Sequence, residues 1–182
     1  GSEGLLAAME WVLSIQKKYN VVAVSGSIGA PNTSGLRGGE GDCSLDPKLA
    51  VKIKELVDAG IVMVFAAGNG GSFSKLDFPA CLPEAVSVGA LTSNGTIADY
   101  SNISKSITVL APAEILSSNG NRGYFIGGGT SSATPIIAGA VALLKQAKPD
   151  ATPREIKLAL QSTKNRISDV LWANLPILNL PI

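Results

Sequence analysis

"IVMVFAAGN", Ile61 to Asn69, is a nearly unbroken apolar run that ends in a glycine and an asparagine. Apolar residues at consecutive positions are typical of a parallel strand that is covered on both faces. The segment before it, "PKLAVKIKELVDAG", has Asp46 as a predicted N-cap, Pro47 at the first helical position and Gly60 as a stop. Together they predict a helix followed by a buried strand, which is the repeating unit of an α/β sheet.

The flanking segments continue this alternation. "GLLAAMEWVLSIQKKY" has apolar residues at helical spacing, and "VVAVSGSIG" after it is rich in β-branched residues typical of a strand. Strands are also predicted at Ala85 to Leu91 and Ile107 to Pro112, and a final helix at Pro153 to Ser162 with Thr152 as its cap. A long surface loop is predicted for residues 30–46, and an extended strand for residues 170–182. The order predicts one α/β domain with a mainly parallel sheet.

Composition limits the classes of partner. The 182 residues are 46% apolar and 16% charged, which suits a single globular domain over residues 1–182. A net charge of +1 gives no electrostatic reason to expect nucleic acid or an anionic membrane as a partner. No apolar run approaches the roughly 20 residues of a membrane-spanning helix.

The two cysteines, Cys43 and Cys81, are too few for a structural zinc site in a sequence without histidine. The residues alone leave open two free thiols or one disulfide, because spacing does not fix geometry. Glu40, Asp42 and Asp46 form an acidic cluster without a recognised calcium-ligand spacing. We therefore predict no metal and no other cofactor, with calcium as the one alternative.

"GGGTSSATP", Gly127 to Pro135, places two serines before an apolar segment that predicts a helix, with Pro135 in its first turn. Hydroxyls at a helix start either cap it or act as a nucleophile where N–H groups and the helix dipole stabilise negative charge. Ligands of parallel sheets bind beyond the carboxyl ends of the strands, so Asn69 and Ser131 or Ser132 are expected at one rim. A nucleophilic serine normally needs a base, and the sequence has no histidine.

Five segments carry motifs in a fixed order: "VVAVSGSIG", "VFAAGNGG", "FPACLPEAVSVGAL", "GGTSSATPIIAGAVALL" and "KPDATPREIKLAL". Their order and spacing resemble the subtilisin-like serine proteases (subtilases, peptidase S8) over nearly the whole chain. The resemblance implies a three-layer α/β fold with a mainly parallel sheet, whose N-terminal part is missing. It also implies a serine endopeptidase that acts on polypeptides and is secreted or extracytoplasmic.

The resemblance assigns roles to particular residues. Ser131 is expected to attack the scissile carbonyl, and Asn69 to donate its amide to the oxyanion together with the Ser131 N–H. The substrate-binding residues that it implies are Ser27, Ile28, Gly29, Ala67, Gly68 and Thr130. Some secreted family members carry a disulfide between the positions that match Cys43 and Cys81, so the resemblance favours that bond.

The family's triad runs Asp, His, Ser along the chain, and this sequence opens downstream of the first two. Some aspartates lie in segments that match other parts of the family pattern, so none of them is taken as the triad acid: Asp42, Asp46, Asp58, Asp77 and Asp99. We predict that the chain alone is inactive and that a separate N-terminal segment or chain supplies the Asp and His. The alternatives are a pseudoprotease that binds peptides or proteins without cutting them, and a Ser-Lys dyad. The sequence disfavours the dyad, because Lys145 lies too far down the helix from Ser131 and because Lys75 and Lys105 are expected to be solvated in loops. Retention of both Ser131 and Asn69 favours the protease.

Overall fold

The computed structural model describes residues 2–30, 43–120, 122–163, 166–167 and 175–178. The helices are α1 (Ser2–Tyr19), α2 (Pro47–Asp58), α3 (Thr130–Ala147) and α4 (Pro153–Gln161). The strands are β1 (Ala23–Gly26), β2 (Val62–Ala66), β3 (Val86–Leu91), β4 (Val109–Pro112), β5 (Ile115–Ser118), β6 (Tyr124–Gly127), β7 (Arg166–Ile167) and β8 (Leu175–Pro176). Strands β1 to β4 form one parallel sheet in that order, while β5 with β6 and β7 with β8 form antiparallel pairs.

The central sheet lies between two layers of helices. In β2, Met63 and Phe65 pack in the apolar cluster that contains Ile53 of α2. The alternate residues of β2 pack with Ile137 of α3 on the opposite face. Side chains alternate across a strand, and both faces of β2 are covered, so every residue of β2 is buried. This explains the nearly unbroken apolar run. The predicted three-layer α/β fold is confirmed.

Local hydrogen bonds fix two helix starts as predicted. The Asp46 carboxylate accepts a bond from the Leu49 N–H at 3.0 Å and caps α2. Hydrogen bonds from that N–H and from the Ser2 hydroxyl hold the pKa of Asp46 below its ordinary value. Thr152 caps α4 by accepting from the Glu155 N–H at 3.2 Å. Both caps follow from side chains that bind the open N–H groups of a first turn.

Cys43 and Cys81 form a disulfide, with their Cα atoms 5.8 Å apart. This confirms the pairing that the family resemblance favoured and settles the choice left open by the residues alone. The bond ties the segment before α2 to the loop between β2 and β3. None of the described helices is long and apolar enough to cross a membrane.

The β5–β6 hairpin was not predicted. Each of its strands has only four residues, which is too short to show a clear alternation of apolar and polar residues. Within the predicted C-terminal extended segment, β8 is a strand and Ile177 forms a parallel bridge with Leu110 of β4. Residues 170–174 and 179–182 of that prediction lie outside the described residues, as do residues 31–42 of the predicted surface loop. Glu40 and Asp42 belong to that loop.

No cluster of three or more His, Cys, Asp or Glu side chains that could hold a metal occurs in the part of the chain that the structure describes.

Candidate active site

Ser131 is the second residue of α3, directly beyond an uncapped helix start. The N-cap is Gly129, whose φ of 97° is a backbone conformation that glycine adopts without strain and other residues rarely adopt. Glycine has no side chain to bind the first-turn N–H groups, and no side-chain cap is formed. The positive end of the α3 dipole therefore faces the site, and the Ser131 N–H is available to an anion.

The hydroxyl of Ser131 reaches back to the segment after β1. Its Oγ donates to the Ser27 carbonyl at 3.4 Å, and the Ser27 Oγ donates to the Ser131 carbonyl at 2.8 Å. The first bond is at the long limit for a hydroxyl, so the Ser131 Oγ is weakly held and easily exchanged to another acceptor. The second bond fixes the Ser131 backbone.

Pro135 explains why the Ser131 carbonyl can accept that bond. The expectation that Pro135 lies in the first turn was wrong, because α3 begins at Thr130 and Pro135 is inside the helix. Proline has no N–H, so the carbonyl four residues earlier, that of Ser131, lacks its usual helical donor. The Ser27 hydroxyl takes the place of that donor. Proline in the helix thus links the serine to the neighbouring strand.

Asn69 follows β2 and is oriented by Thr130. Its Oδ1 accepts from the Thr130 N–H at 2.9 Å and from the Thr130 hydroxyl at 3.0 Å. The same hydroxyl accepts from the Gly68 N–H at 3.2 Å. With Oδ1 fixed, Nδ2 is the donor that the side chain has left, and it lies 3.4 Å from the position of a Cβ built on Gly129. An amide donor and a helix N-terminus therefore meet at one place, as an oxyanion requires.

These residues line a cleft with a volume of about 560 Å³. Its lining consists of Ser27, Ile28, Gly29, Ala66, Gly68, Asn69, Gly70, Asp77, Thr130 and Ser131. The structure thus brings together all but one of the residues proposed for catalysis and substrate binding. The exception is Ala67, which is fully buried and packs in the core beside the cleft. Thr130 is also fully buried, and its polar contacts are with Asn69, Gly68 and Thr134.

Sequence reasoning missed a buried amide that shapes the cleft wall. Asn102 is 2% exposed; its Oδ1 accepts from the N–H groups of Gly70 and Ser72, at 3.1 and 2.9 Å. Its Nδ2 donates to the Ala67 carbonyl at 3.2 Å and to Asp77 Oδ1 at 3.0 Å. Asn102 therefore fixes the loop that carries Asn69. A polar residue in a loop has no periodicity that could reveal this role.

Asp77 is the one carboxylate in the cleft lining. Burial raises the pKa of Asp77, and the hydrogen bond from the Asn102 amide acts in the opposite direction. On the opposite side of the helix start, the Tyr100 hydroxyl accepts from the Gly129 N–H at 2.9 Å. Neither residue was assigned a role from the sequence.

No side chain of the sequence is a histidine, so the base of a Ser-His pair has to come from elsewhere. The Nζ of Lys145 donates to the carbonyls of Pro149 and Ala151 at the far end of α3, at 2.7 and 2.8 Å. Ser132 donates to the Gly128 carbonyl at 3.1 Å. The expectation that Lys75 is solvated was wrong: it is buried, and its Nζ has no hydrogen-bond partner among the described residues.

Comparison with known proteins agrees with this geometry. Subtilisin NAT of Bacillus subtilis subsp. natto is 29% identical over 179 residues, covering 96% of this chain and 43% of that protein. The major intracellular serine protease of Bacillus subtilis (strain 168) is 30% identical over 166 residues, covering 86% and 48%. The structure of a cold-adapted subtilisin-like serine proteinase superposes with a TM-score of 0.77 at 24% identity, covering 97% of this chain and 60% of that one.

The chain thus spans less than half the length of these two curated relatives. A sequence profile of the Subtilase family matches residues 2–175. With that match and the serine, asparagine and glycine segments assembled in one cleft, this chain belongs to the subtilase family.

Proposed function

We propose that this chain forms the serine-bearing part of a subtilisin-like serine endopeptidase. The observation that carries the proposal is the position of Ser131 at the uncapped start of α3, beside the Asn69 amide that Thr130 orients. The Ser131 Oγ attacks the scissile carbonyl carbon and forms an acyl-enzyme ester, while its proton passes to a base and then to the departing amine. Water then hydrolyses the ester by the same proton path in reverse.

The oxyanion of each tetrahedral intermediate is stabilised by donors that are already in place. Asn69 Nδ2 and the Ser131 N–H supply hydrogen bonds, and the helix dipole adds favourable potential. Thr130 holds the other end of the Asn69 amide, so the donor does not have to reorient during the reaction. Such fixed donors lower the barrier because no reorganisation is needed at the moment of reaction.

The substrate is an extended polypeptide. Ser27, Ile28 and Gly29 follow β1 and are exposed along the cleft. No backbone–backbone hydrogen bond of Ile28 or Gly29 occurs among the described residues, so their N–H and C=O groups are available for pairing. A peptide bound as an additional strand would use these groups.

The triad Asp and His come from a segment that this sequence does not contain. β1 lies at one end of the sheet and pairs only with β2 among the described strands. An edge strand with an unpaired side accepts another strand readily. We place the segment that carries the base and its acid along this edge, where β1 leads directly into Ser27 and hence to Ser131.

The disulfide supports a location outside the cytoplasm, since such bonds persist in oxidising compartments. Secretion is therefore part of the proposal. No metal or cofactor is needed for the acyl-transfer chemistry described here.

The second candidate is a pseudoprotease that binds peptides in the same cleft without cutting them. Ile28 and Gly29, which make no backbone–backbone hydrogen bond among the described residues, favour it because they could hold a peptide without any catalytic base. Below, the full-length protein means the complete product of the reading frame that contains this sequence. The second candidate predicts that the full-length protein binds peptides but leaves them intact.

The test is active-site labelling of the full-length protein with a fluorophosphonate, followed by peptide mapping and by hydrolysis of fluorogenic peptides. We expect the probe on Ser131, and a loss of about 10⁴- to 10⁶-fold in kcat for Ser131→Ala. Ser132→Ala is the matched control and keeps most of the activity, because Ser132 Oγ donates to Gly128. Turnover that survives Ser131→Ala would refute the proposal, and peptide binding without hydrolysis would favour the pseudoprotease.

A further inference from the structure

The carboxylate of Asp77 lies on the floor of the cleft, next to two glycines that leave room for it. The Asp77 N–H donates to the Ala67 carbonyl at 2.9 Å, which fixes the segment after the Asn69 loop against the end of β2. Its Oδ2 is 3.2 Å from the position of a Cβ built on Gly29. A Cβ on Gly68 would collide with the same carboxylate and with the Asn102 amide. Side chains at either glycine would therefore cover or displace the acid.

The two oxygens of Asp77 differ. Oδ1 accepts from Asn102 Nδ2 at 3.0 Å, whereas Oδ2 has no hydrogen-bond donor among the described residues. No ion pair of the described residues involves Asp77 either. A partly buried carboxylate loses hydration, and among the described residues only the Asn102 amide, at Oδ1, compensates for that loss.

The structural task of Asp77 does not require a charge. Its contact with Asn102 needs only an oxygen acceptor, which an asparagine side chain would supply at the same place. Burial raises the pKa of Asp77, because the ionised carboxylate is less well solvated in the cleft than in water. An unfavourable charge in a binding cleft is explained when the bound molecule brings the opposite charge.

We propose that Asp77 makes this cleft selective for polypeptides with a lysine or arginine at the residue whose carbonyl Ser131 attacks. The inference rests on the proposed function, because it assumes that the peptide runs along Ser27–Gly29. The side chain of that residue enters between Gly29 and Gly68, where Oδ2 accepts a hydrogen bond from the ammonium or guanidinium group. The cation replaces the hydration that Asp77 loses, so the pair forms where competing water is scarce.

Peptide binding tests this inference without requiring catalysis. We would use the full-length protein with Ser131→Ala and two labelled peptides that differ only in lysine or norleucine at the attacked residue. Fluorescence anisotropy gives each Kd. We expect the lysine peptide to bind about 10- to 100-fold more tightly, the range for a hydrogen bond to a charged group. Adding Asp77→Asn should weaken binding of the lysine peptide relative to the norleucine peptide and so remove that preference.

Asp99→Asn is the matched control, since Asp99 is an exposed carboxylate outside the cleft lining. The preference for lysine should survive it. An unchanged melting temperature shows that the Asp77→Asn protein is folded. If Asp77→Asn misfolds, we would instead measure the lysine preference of the Ser131→Ala protein, which keeps Asp77, at several salt concentrations. We expect the preference to fall as ionic strength rises.

Equal binding of the two peptides, or a lysine preference that persists in Asp77→Asn, would overturn the inference. Its failure is distinguishable from that of the proposed function. Selective binding combined with an unreactive wild-type protein would leave Asp77 as a specificity residue and refute the endopeptidase. Hydrolysis of both peptides without a preference for lysine would support the endopeptidase and refute the role of Asp77 in specificity. If neither peptide binds, both proposals fail.

Discussion

A threonine lies at the start of both α3 and α4, as the first residue of α3 and as the N-cap of α4, yet the two first turns are satisfied in different ways. At α4, the Thr152 hydroxyl accepts from the Glu155 N–H, and the Glu155 carboxylate accepts from the Thr152 N–H at 2.8 Å. At α3, the N-cap is Gly129 and no side chain caps the helix. The Thr130 N–H instead donates to Asn69, 61 residues earlier in the chain.

The difference separates a structural helix start from a functional one. A capping box satisfies two of the open N–H groups with side chains of the helix start itself. The start of α3 gives up that local stabilisation, and its open N–H groups and Asn69 are held in place by distant parts of the fold. Substitutions at α3 should therefore affect catalysis most, and substitutions at α4 should affect stability alone.

After Ser131→Ala, the largest effect is expected for Asn69→Ala in the full-length protein. Loss of one oxyanion donor should lower kcat by about 10²- to 10³-fold and change KM little, because the donor acts mainly in the transition state. Steady-state hydrolysis of a fluorogenic peptide measures both constants. An unchanged kcat would contradict the assignment of Asn69 Nδ2 to the oxyanion.

Thr130→Val should have a smaller effect, because it loosens the donor without removing it. The Asn69 Oδ1 loses its hydroxyl partner and the buried Gly68 N–H loses its acceptor. We expect kcat to fall by about 10- to 100-fold, the scale of a misplaced catalytic group. Thr130→Ser keeps the hydroxyl and should stay close to wild type. If both variants lose activity equally, the hydroxyl does not orient Asn69.

Thr152→Ala removes the side chain that caps α4. The free energy of unfolding should fall by about 1 kcal/mol, as for other N-cap replacements. Denaturant unfolding measures the loss, and the kcat/KM of the folded protein should not change. A fall in kcat/KM at this site would show that the two helix starts are not functionally distinct.

The smallest effect is the pH dependence of the α4 box. Hydrogen bonds from the Thr152 N–H and hydroxyl hold the pKa of Glu155 below its ordinary value of 4.5. A lowered carboxylate pKa stabilises the fold above the unfolded pKa, and this contribution disappears as the pH falls through the folded pKa. Wild type should thus lose stability relative to Glu155→Gln only below about pH 4.5. Because Glu155 is exposed, the change should be small and should shrink further with salt.

Melting curves of the two proteins from neutral to acidic pH would show this relative loss. A constant difference in Tm between wild type and Glu155→Gln over that range would mean that the ionised carboxylate does not contribute. Both proteins share every other titrating group, so the comparison isolates Glu155.

The features that the sequence predicted well are those with a local cause. The caps at Asp46 and Thr152 depend on residues three positions apart, and the burial of β2 follows from its own apolar run. The hairpin of β5 and β6 was missed because short, exposed strands carry little pattern. The position of Pro135 in the helix was predicted wrongly. A proline inside the helix is accommodated here because the Ser27 hydroxyl donates to the Ser131 carbonyl, and the sequence alone does not show that Ser27 lies beside Ser131.

By itself, the sequence determined the alternation of helices and strands, the two helix caps and the serine and asparagine motifs that resemble those of subtilases. These properties arise from periodicity and from hydrogen bonds between near neighbours. Only the tertiary structure placed Ser27 against Ser131, 104 residues away, and brought Asp77 between Gly29 and Gly68. Such contacts depend on how strands and loops converge at the carboxyl edge of the sheet, and no short stretch of sequence encodes that convergence.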